Sequence, residues 1–213
     1  MTLSVATGSR VAIVGKNGAG KSTLVRLLVE DLAVHAKAVR GEKLPGKRTN
    51  APGLCVAYIA QHHVEQLAGF LEATPVDYFS KVHGASSEQE ARQFLGGFGL
   101  VGALALQPIG TLSGGQKARL AFATVMFTAP HVLVLDEPTN HLDKDSLEAL
   151  GAAIKAFKGA VVMVSHNATF LGSCANELWT VDKGMVKVEH LGEARSFDDA
   201  FAAYRATLRM FKV

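Results

Sequence analysis

The run "RVAIVG" at 10–15 passes directly into "KNGAGKSTLVRLL" at 16–28, and no other junction constrains the fold as much. An unbroken apolar run ending in glycine reads as a short buried strand. Leu24, Leu27 and Leu28 then share one face of a helix that starts near Gly20. Between strand and helix, "GKNGAGKS" has the spacing glycine, four residues, Gly-Lys-Ser. The backbone N–H groups of Gly15, Lys16, Asn17, Gly18, Ala19 and Gly20 can wrap a phosphate chain there, and the helix behind presents its positive end. Lys21 reaches the terminal phosphates, and Ser22, followed by Thr23, offers a hydroxyl to Mg²⁺.

Further apolar strands are expected in "LCVAYIAQ" (54–61), "HVLVLDE" (131–137) and "AVVMVSH" (160–166), with an amphipathic helix in "KDSLEALGAAIKAF" (144–157). Apolar strands alternating with helices predict an α/β fold, a mostly parallel sheet covered on both faces. Ligands of such sheets bind at the carboxyl ends of the strands. Asp136 ends its strand there and suits Mg²⁺, held through water. Glu137 points elsewhere and is placed to polarise an attacking water. His166 reaches the same edge and reads as a γ-phosphate contact. Gln61 ends a strand with a side chain able to bind both water and metal. His62, His63, His83 and His190 read as structural.

Residues 62–111 have a helical character and form an expected subdomain, with the core at 1–61 and 112–213. Thr74 is a natural N-cap with Pro75 behind it, Ser87 and Glu90 have capping-box spacing, and Gly96–Gly97 reads as a stop. "ELWTVDKGMVKVEH" predicts a hairpin turning at Lys183–Gly184, and "DDAFAAYRATLRMF" a closing helix.

A chain of 213 residues, 48% hydrophobic and 19% charged, supports one large folded domain and excludes a disordered, solvating chain. A net charge of +3 permits contact with nucleic acid without demanding it. The basic run "KAVRGEKLPGKR" reads first as a solvated loop, and second as a contact for RNA phosphates. Cys55 and Cys174 match no metal spacing and are expected to be reduced thiols of a cytosolic protein. The opening residues do not read as a secretory leader, so none is expected, and no apolar run approaches the roughly 18 residues that span a bilayer.

One stretch is unexplained by a single phosphate site. "TLSGGQKARLAF" (111–122) again opens a helix with a serine and two glycines, an anion contact with no phosphate of its own. "GKNGAGKS", "YIAQ", "LSGGQ", "VLVLDEP" and "VSHN", in this order, resemble the nucleotide-binding domain of ATP-binding-cassette (ABC) proteins. The resemblance covers nearly the whole chain. It implies ATP and Mg²⁺ as ligands, with Ser22, Gln61 and Asp136 at the metal and Lys21, Glu137 and His166 in catalysis. It also implies head-to-tail packing against a second ABC domain. Ser113, Gly114, Gly115, Gln116 and Asp143 would then serve the partner's nucleotide.

"DEPTNHLD" (136–143) is similar to the ABC-F branch, whose members are soluble, carry two ABC domains and mostly act on ribosomes. "QHHVEQL", "LSGGQKARLAFA" and "FDDAFAAYRATL" resemble the C-terminal ABC domain of eukaryotic ABC-F proteins of the fungal translational-control type. The expectation is a cytoplasmic, ribosome-associated ATPase. The competing reading is the ATPase subunit of a membrane transporter. A chromosome-maintenance ATPase is excluded, because only about fifty residues separate Gln61 from Leu112 where that class places a very long coiled coil.

Three features depart from the pattern. No aromatic precedes Gly15 to stack on adenine, a second ABC domain with its charged linker is absent, and Asn167 stands where the branch usually has Asp. The first two make the chain read as an excised piece with weak nucleotide binding and little hydrolysis on its own. Asn167 reads as a residue that tunes a turn.

Overall fold

The computed structural model describes residues 2–29, 35–37, 43–45, 49–59, 63–84, 87–139, 142 and 144–210. Six strands form one sheet: β1 (Arg10–Gly15), β4 (Val56–Ile59), β5 (Val132–Asp136), β6 (Ala160–Val164), β7 (Glu177–Asp182) and β8 (Met185–His190). Their order is β4-β5-β6-β1-β7-β8. All neighbours are parallel except β7 and β8, which form the antiparallel hairpin expected at Lys183–Gly184. Both turn residues are left-handed, with φ of 48° and 77°, the geometry that matches strand twist. Two short strands, β2 (His35–Lys37) and β3 (Lys43–Pro45), pair separately; most of the basic run around them lies outside the described residues.

Alternation along the strands divides the core into two layers. Ala12, Val14, Leu133, Leu135, Val161 and Met163 face α6 (Lys144–Ala156), α7 (Ala168–Cys174) and α8 (Phe197–Met210). Val11, Ile13, Val134, Val162, Val164 and Trp179 face the opposite layer with Val25 of α1 (Lys21–Leu28). Both faces are therefore covered, as continuous apolar strands require.

Residues 75–126 supply α2 (Pro75–His83), α3 (Glu88–Gly96), the single turn α4 (Ala103–Leu106) and α5 (Gly114–Met126). Thr74 caps α2 through the Asp77 N–H, with Pro75 behind it. The Ser87 hydroxyl accepts from the Glu90 N–H. The glycine stop differs from expectation. α3 ends at Gly96, but Gly97 stays right-handed (φ −61°) and Gly99 (φ 75°) makes the left-handed turn. The Leu100 N–H then returns to the Leu95 carbonyl. These helices bury their own cluster from Leu67 to Ala123. α5 shares in both cores: Leu120 and Ala123 join that cluster, whereas Phe122 joins the sheet layer.

At the far end of β1 from the glycine loop, Arg10 is 8% exposed. Its guanidinium donates to the carbonyls of Ile154 (2.9 Å), Gly159 (2.7 Å), Ser9 (3.0 Å) and Phe157. Carbonyls at a helix C-terminus have no partner within the helix; Arg10 satisfies those at the end of α6.

Candidate functional site

The site begins where β1 stops. Gly15 faces the Val181 carbonyl so closely that a Cβ there would lie 2.6 Å from it. Only glycine leaves the strand at this point without displacing β7. The loop turns through Gly18 (φ 77°) and reaches Gly20 (φ 106°), which is left-handed immediately before Lys21 begins α1. Asn17, Gly18, Ser22 and Thr23 are exposed, whereas Ala19 is packed inward. The Lys21 ammonium donates to the carbonyls of Gly15 at 2.9 Å and Lys16 at 3.2 Å, so it already lies along the loop's inner wall.

Two neighbouring strands end on the same edge. Asp136 pairs in register with Val164, and beyond them the chain leaves β5 and β6 as two loops. Asp136 has the parity of Val132 and Val134, toward the α1 layer. There the Tyr58 hydroxyl donates to its Oδ2 at 3.2 Å. Tyr58 opens the "YIAQ" motif, but its bond to Asp136 has no signal in the sequence, because only strand pairing brings β4 beside β5. Asp136 Oδ2 is thus held while no described group takes Oδ1, and Ser22, exposed at the start of α1, makes no side-chain hydrogen bond among the described residues. This all-oxygen donor set fits Mg²⁺.

Glu137 turns the other way. It adopts φ 51°, its N–H donates to the Val164 carbonyl at 2.8 Å, and its carboxylate accepts the His166 N–H at 3.3 Å. Oε1 lies 3.4 Å from His166 Nε2; the Glu137 side chain is 10% exposed and that of His166 69%. Burial pushes the Glu137 carboxyl above its ordinary value of 4.5. The charge and N–H of His166 pull it back, Asp136 raises it and Lys21 lowers it. A largely buried carboxylate whose basicity is raised is suited to accept a proton.

Ser165 and Thr139 tie these loops together, their hydroxyls 2.9 Å apart, and Ser165 also accepts the Asn167 N–H at 3.0 Å. Asn167 caps α7 by accepting the Phe170 N–H at 2.9 Å. It therefore shapes the turn.

A cavity of about 550 Å³ is lined by Gly15, Lys16, Asn17, Lys21, Ser165 and His166 together with α8. It brings the phosphate loop and the histidine together. Ser113, Gly114, Gly115 and Gln116 do not line it. They form the start of α5, where Ser113 and Gln116 make a reciprocal capping box (2.8 and 3.2 Å). That box occupies two N-terminal donors and leaves the N–H groups of Gly114 and Gly115, which precede any intrahelical acceptor, facing outward. Gln61 and Asp143 lie outside the described residues.

The glycine-loop edge, the parallel sheet and the separate helical cluster match known proteins. A family model described as ABC transporter matches residues 1–140. Protein GCN20 of Saccharomyces cerevisiae is 42% identical over 187 residues, covering 88% of this chain and 23% of that protein. ATP-binding cassette sub-family F member 3 of Homo sapiens is 40% identical over 209 residues, covering 98% and 27%. The chain thus spans about a quarter of the length of these relatives. Among solved structures, an ATP-binding cassette of an ABC transporter in its ADP conformation superposes with a TM-score of 0.67 at 17% identity, covering 99% of this chain and 91% of that one. A dimeric post-hydrolysis cassette bound to ADP and Pi gives 0.62 at 21%, covering 89% and 88%. At such identities these two speak for the fold alone. No helix among the described residues is long and apolar enough to cross a membrane. The chain belongs to the ATP-binding-cassette family, on its sub-family F branch.

Proposed function

We propose that this chain is an ATP-hydrolysing domain whose site is completed by a second ABC domain, acting in the cytoplasm on the ribosome. The observation that carries the first part is the division of the anion-binding groups. Lys21 and His166 line one cavity, while the capped start of α5 offers the Gly114 and Gly115 N–H groups outside it. In this reading the loop from Gly15 to Thr23 wraps the phosphates, and Lys21 exchanges its carbonyl partners for the β- and γ-phosphates. Ser22, Gln61 and Asp136 would hold Mg²⁺, which supplies charge neutralisation on the phosphate chain. Glu137 accepts the proton of a water whose oxygen attacks the γ-phosphorus as the bond to ADP breaks, and His166 neutralises the γ-phosphate oxygens. Ser113, Gly114, Gly115, Gln116 and Asp143 serve the partner's nucleotide.

The ribosomal part rests on the sub-family F likeness and on "TNHLD". It is tested by introducing Glu137→Gln into a polypeptide that carries this domain beside its second ABC domain. Co-sedimentation with ribosomes only when ATP is added is expected. Failure to sediment, with partition into the membrane fraction, supports the transporter-subunit reading instead.

A further inference from the structure

The helix α8 is the least expected wall of the phosphate-loop cavity. Phe197 and Ala200 are buried against the sheet layer, and Phe201 and Tyr204 continue the same face with rings 5.4 and 5.9 Å apart in succession. This stripe carries the helix along the sheet toward its ligand edge. Phe201, Tyr204 and Arg205 then line the cavity opposite Lys16, Asn17 and Lys21. Arg205 is exposed and makes no hydrogen bond or ion pair among the described residues. Of the acids at this edge, Asp136 and Glu137 are engaged by Tyr58 and His166, and Asp182, which ends β7 and whose charge acts on Tyr204, makes no ion pair with Arg205.

We propose that Arg205 is a third cation of the nucleotide site, contacting the terminal phosphate of a nucleoside triphosphate from the side opposite the loop. The cavity's other lining group, His166, places that contact at the γ end of the chain. A guanidinium fork matches a phosphate oxygen pair. The inference rests on the proposed ATP site.

Titration of the 213-residue chain with MgATP and MgADP by calorimetry separates the Arg205 contact from the ATP site itself. Arg205→Ala is expected to lower ATP affinity about tenfold, the loss of one charge-assisted hydrogen bond, and ADP affinity about twofold. Arg205→Lys should restore most of the ATP affinity, and Arg205→Glu should weaken ATP further than alanine. If Lys21→Ala abolishes ATP binding while Arg205→Ala leaves the ATP-to-ADP ratio unchanged, the inference falls and the ATP site stands. It falls in the same way if Arg205→Ala lowers ATP and ADP affinity equally together with the melting temperature, which marks a merely structural role. If the unsubstituted chain binds neither ATP nor ADP at saturating concentrations, both fall.

Discussion

Glu137 and His166 clasp each other across adjacent strands: the carboxylate accepts the histidine N–H at 3.3 Å, and its other oxygen lies 3.4 Å from Nε2. With the Glu137 N–H on the Val164 carbonyl and the Thr139 and Ser165 hydroxyls in contact, the loops after β5 and β6 form one polar unit. The clasp gives Glu137 its orientation and part of its protonation behaviour.

Burial holds the Glu137 carboxyl above its ordinary value, and proton acceptance requires the ionised form. Hydrolysis should therefore fall, as pH drops, at a pH above the usual carboxylate range. Removing the imidazole charge takes away a lowering influence, so His166→Ala should move this acid limb still higher in whatever turnover it retains. A pH–rate profile in which both limbs coincide contradicts this assignment.

The φ of 51° at Glu137 is a left-handed conformation that disfavours side chains by about 1–2 kcal/mol. Glu137→Gly should consequently be more stable than Glu137→Ala by about 1 kcal/mol, although both lack the carboxylate. Urea unfolding of the two variants measures the difference, and equal stabilities would mean that the backbone is unstrained there.

Arg10→Met should be among the most damaging substitutions far from the nucleotide site. It keeps an apolar stem but leaves the carbonyls of Ile154, Phe157 and Gly159 without their donor, at about 2–4 kcal/mol. Chemical denaturation gives this value directly. A loss below about 0.5 kcal/mol would place those carbonyls in water.

His83 packs between Phe79 and Phe127 with ring centroids 4.9 Å away, and its Nε2 has no partner among the described residues. Burial lowers its basicity below the ordinary 6.5, against a smaller raising effect from its bond to the Thr124 backbone. The unfolded chain then binds the proton more readily than the folded one, so stability is complete above the unfolded value and declines as pH falls below about 6.5. Between about pH 7.5 and 5.5, a window spanning that value, the chain should lose more stability than a His83→Leu variant. Parallel losses in the two proteins count against a buried neutral imidazole.

Much of the fold was legible because the signals are local. The runs at 10–15, 131–137 and 160–166 are strands since their residues are apolar on both faces, and the Lys183–Gly184 turn announces itself by its glycine. Thr74 and Pro75 cap a helix by their own chemistry. What escaped depends on distant pairing. Tyr58 and Asp136 meet only because β4 lies beside β5, and Arg205 lines the same cavity as the glycine loop only because α8 packs along the sheet. Arg10 offered a faint signal, a cation opening an apolar strand, but its partners sit far along the chain, at Ile154, Phe157 and Gly159. The stop expected at Gly96–Gly97 is displaced because either glycine, or Gly99, can supply the left-handed turn.

In the proposed mechanism this domain holds one half of an ATP site and lends the other half to a neighbour. Sedimentation velocity of the Glu137→Gln variant at saturating MgATP tests that division most directly. The expected result is ATP-dependent pairing that disappears with ADP, and that Ser113→Arg abolishes without altering nucleotide binding to the single domain. Pairing that ignores ATP, or that survives Ser113→Arg, would contradict it.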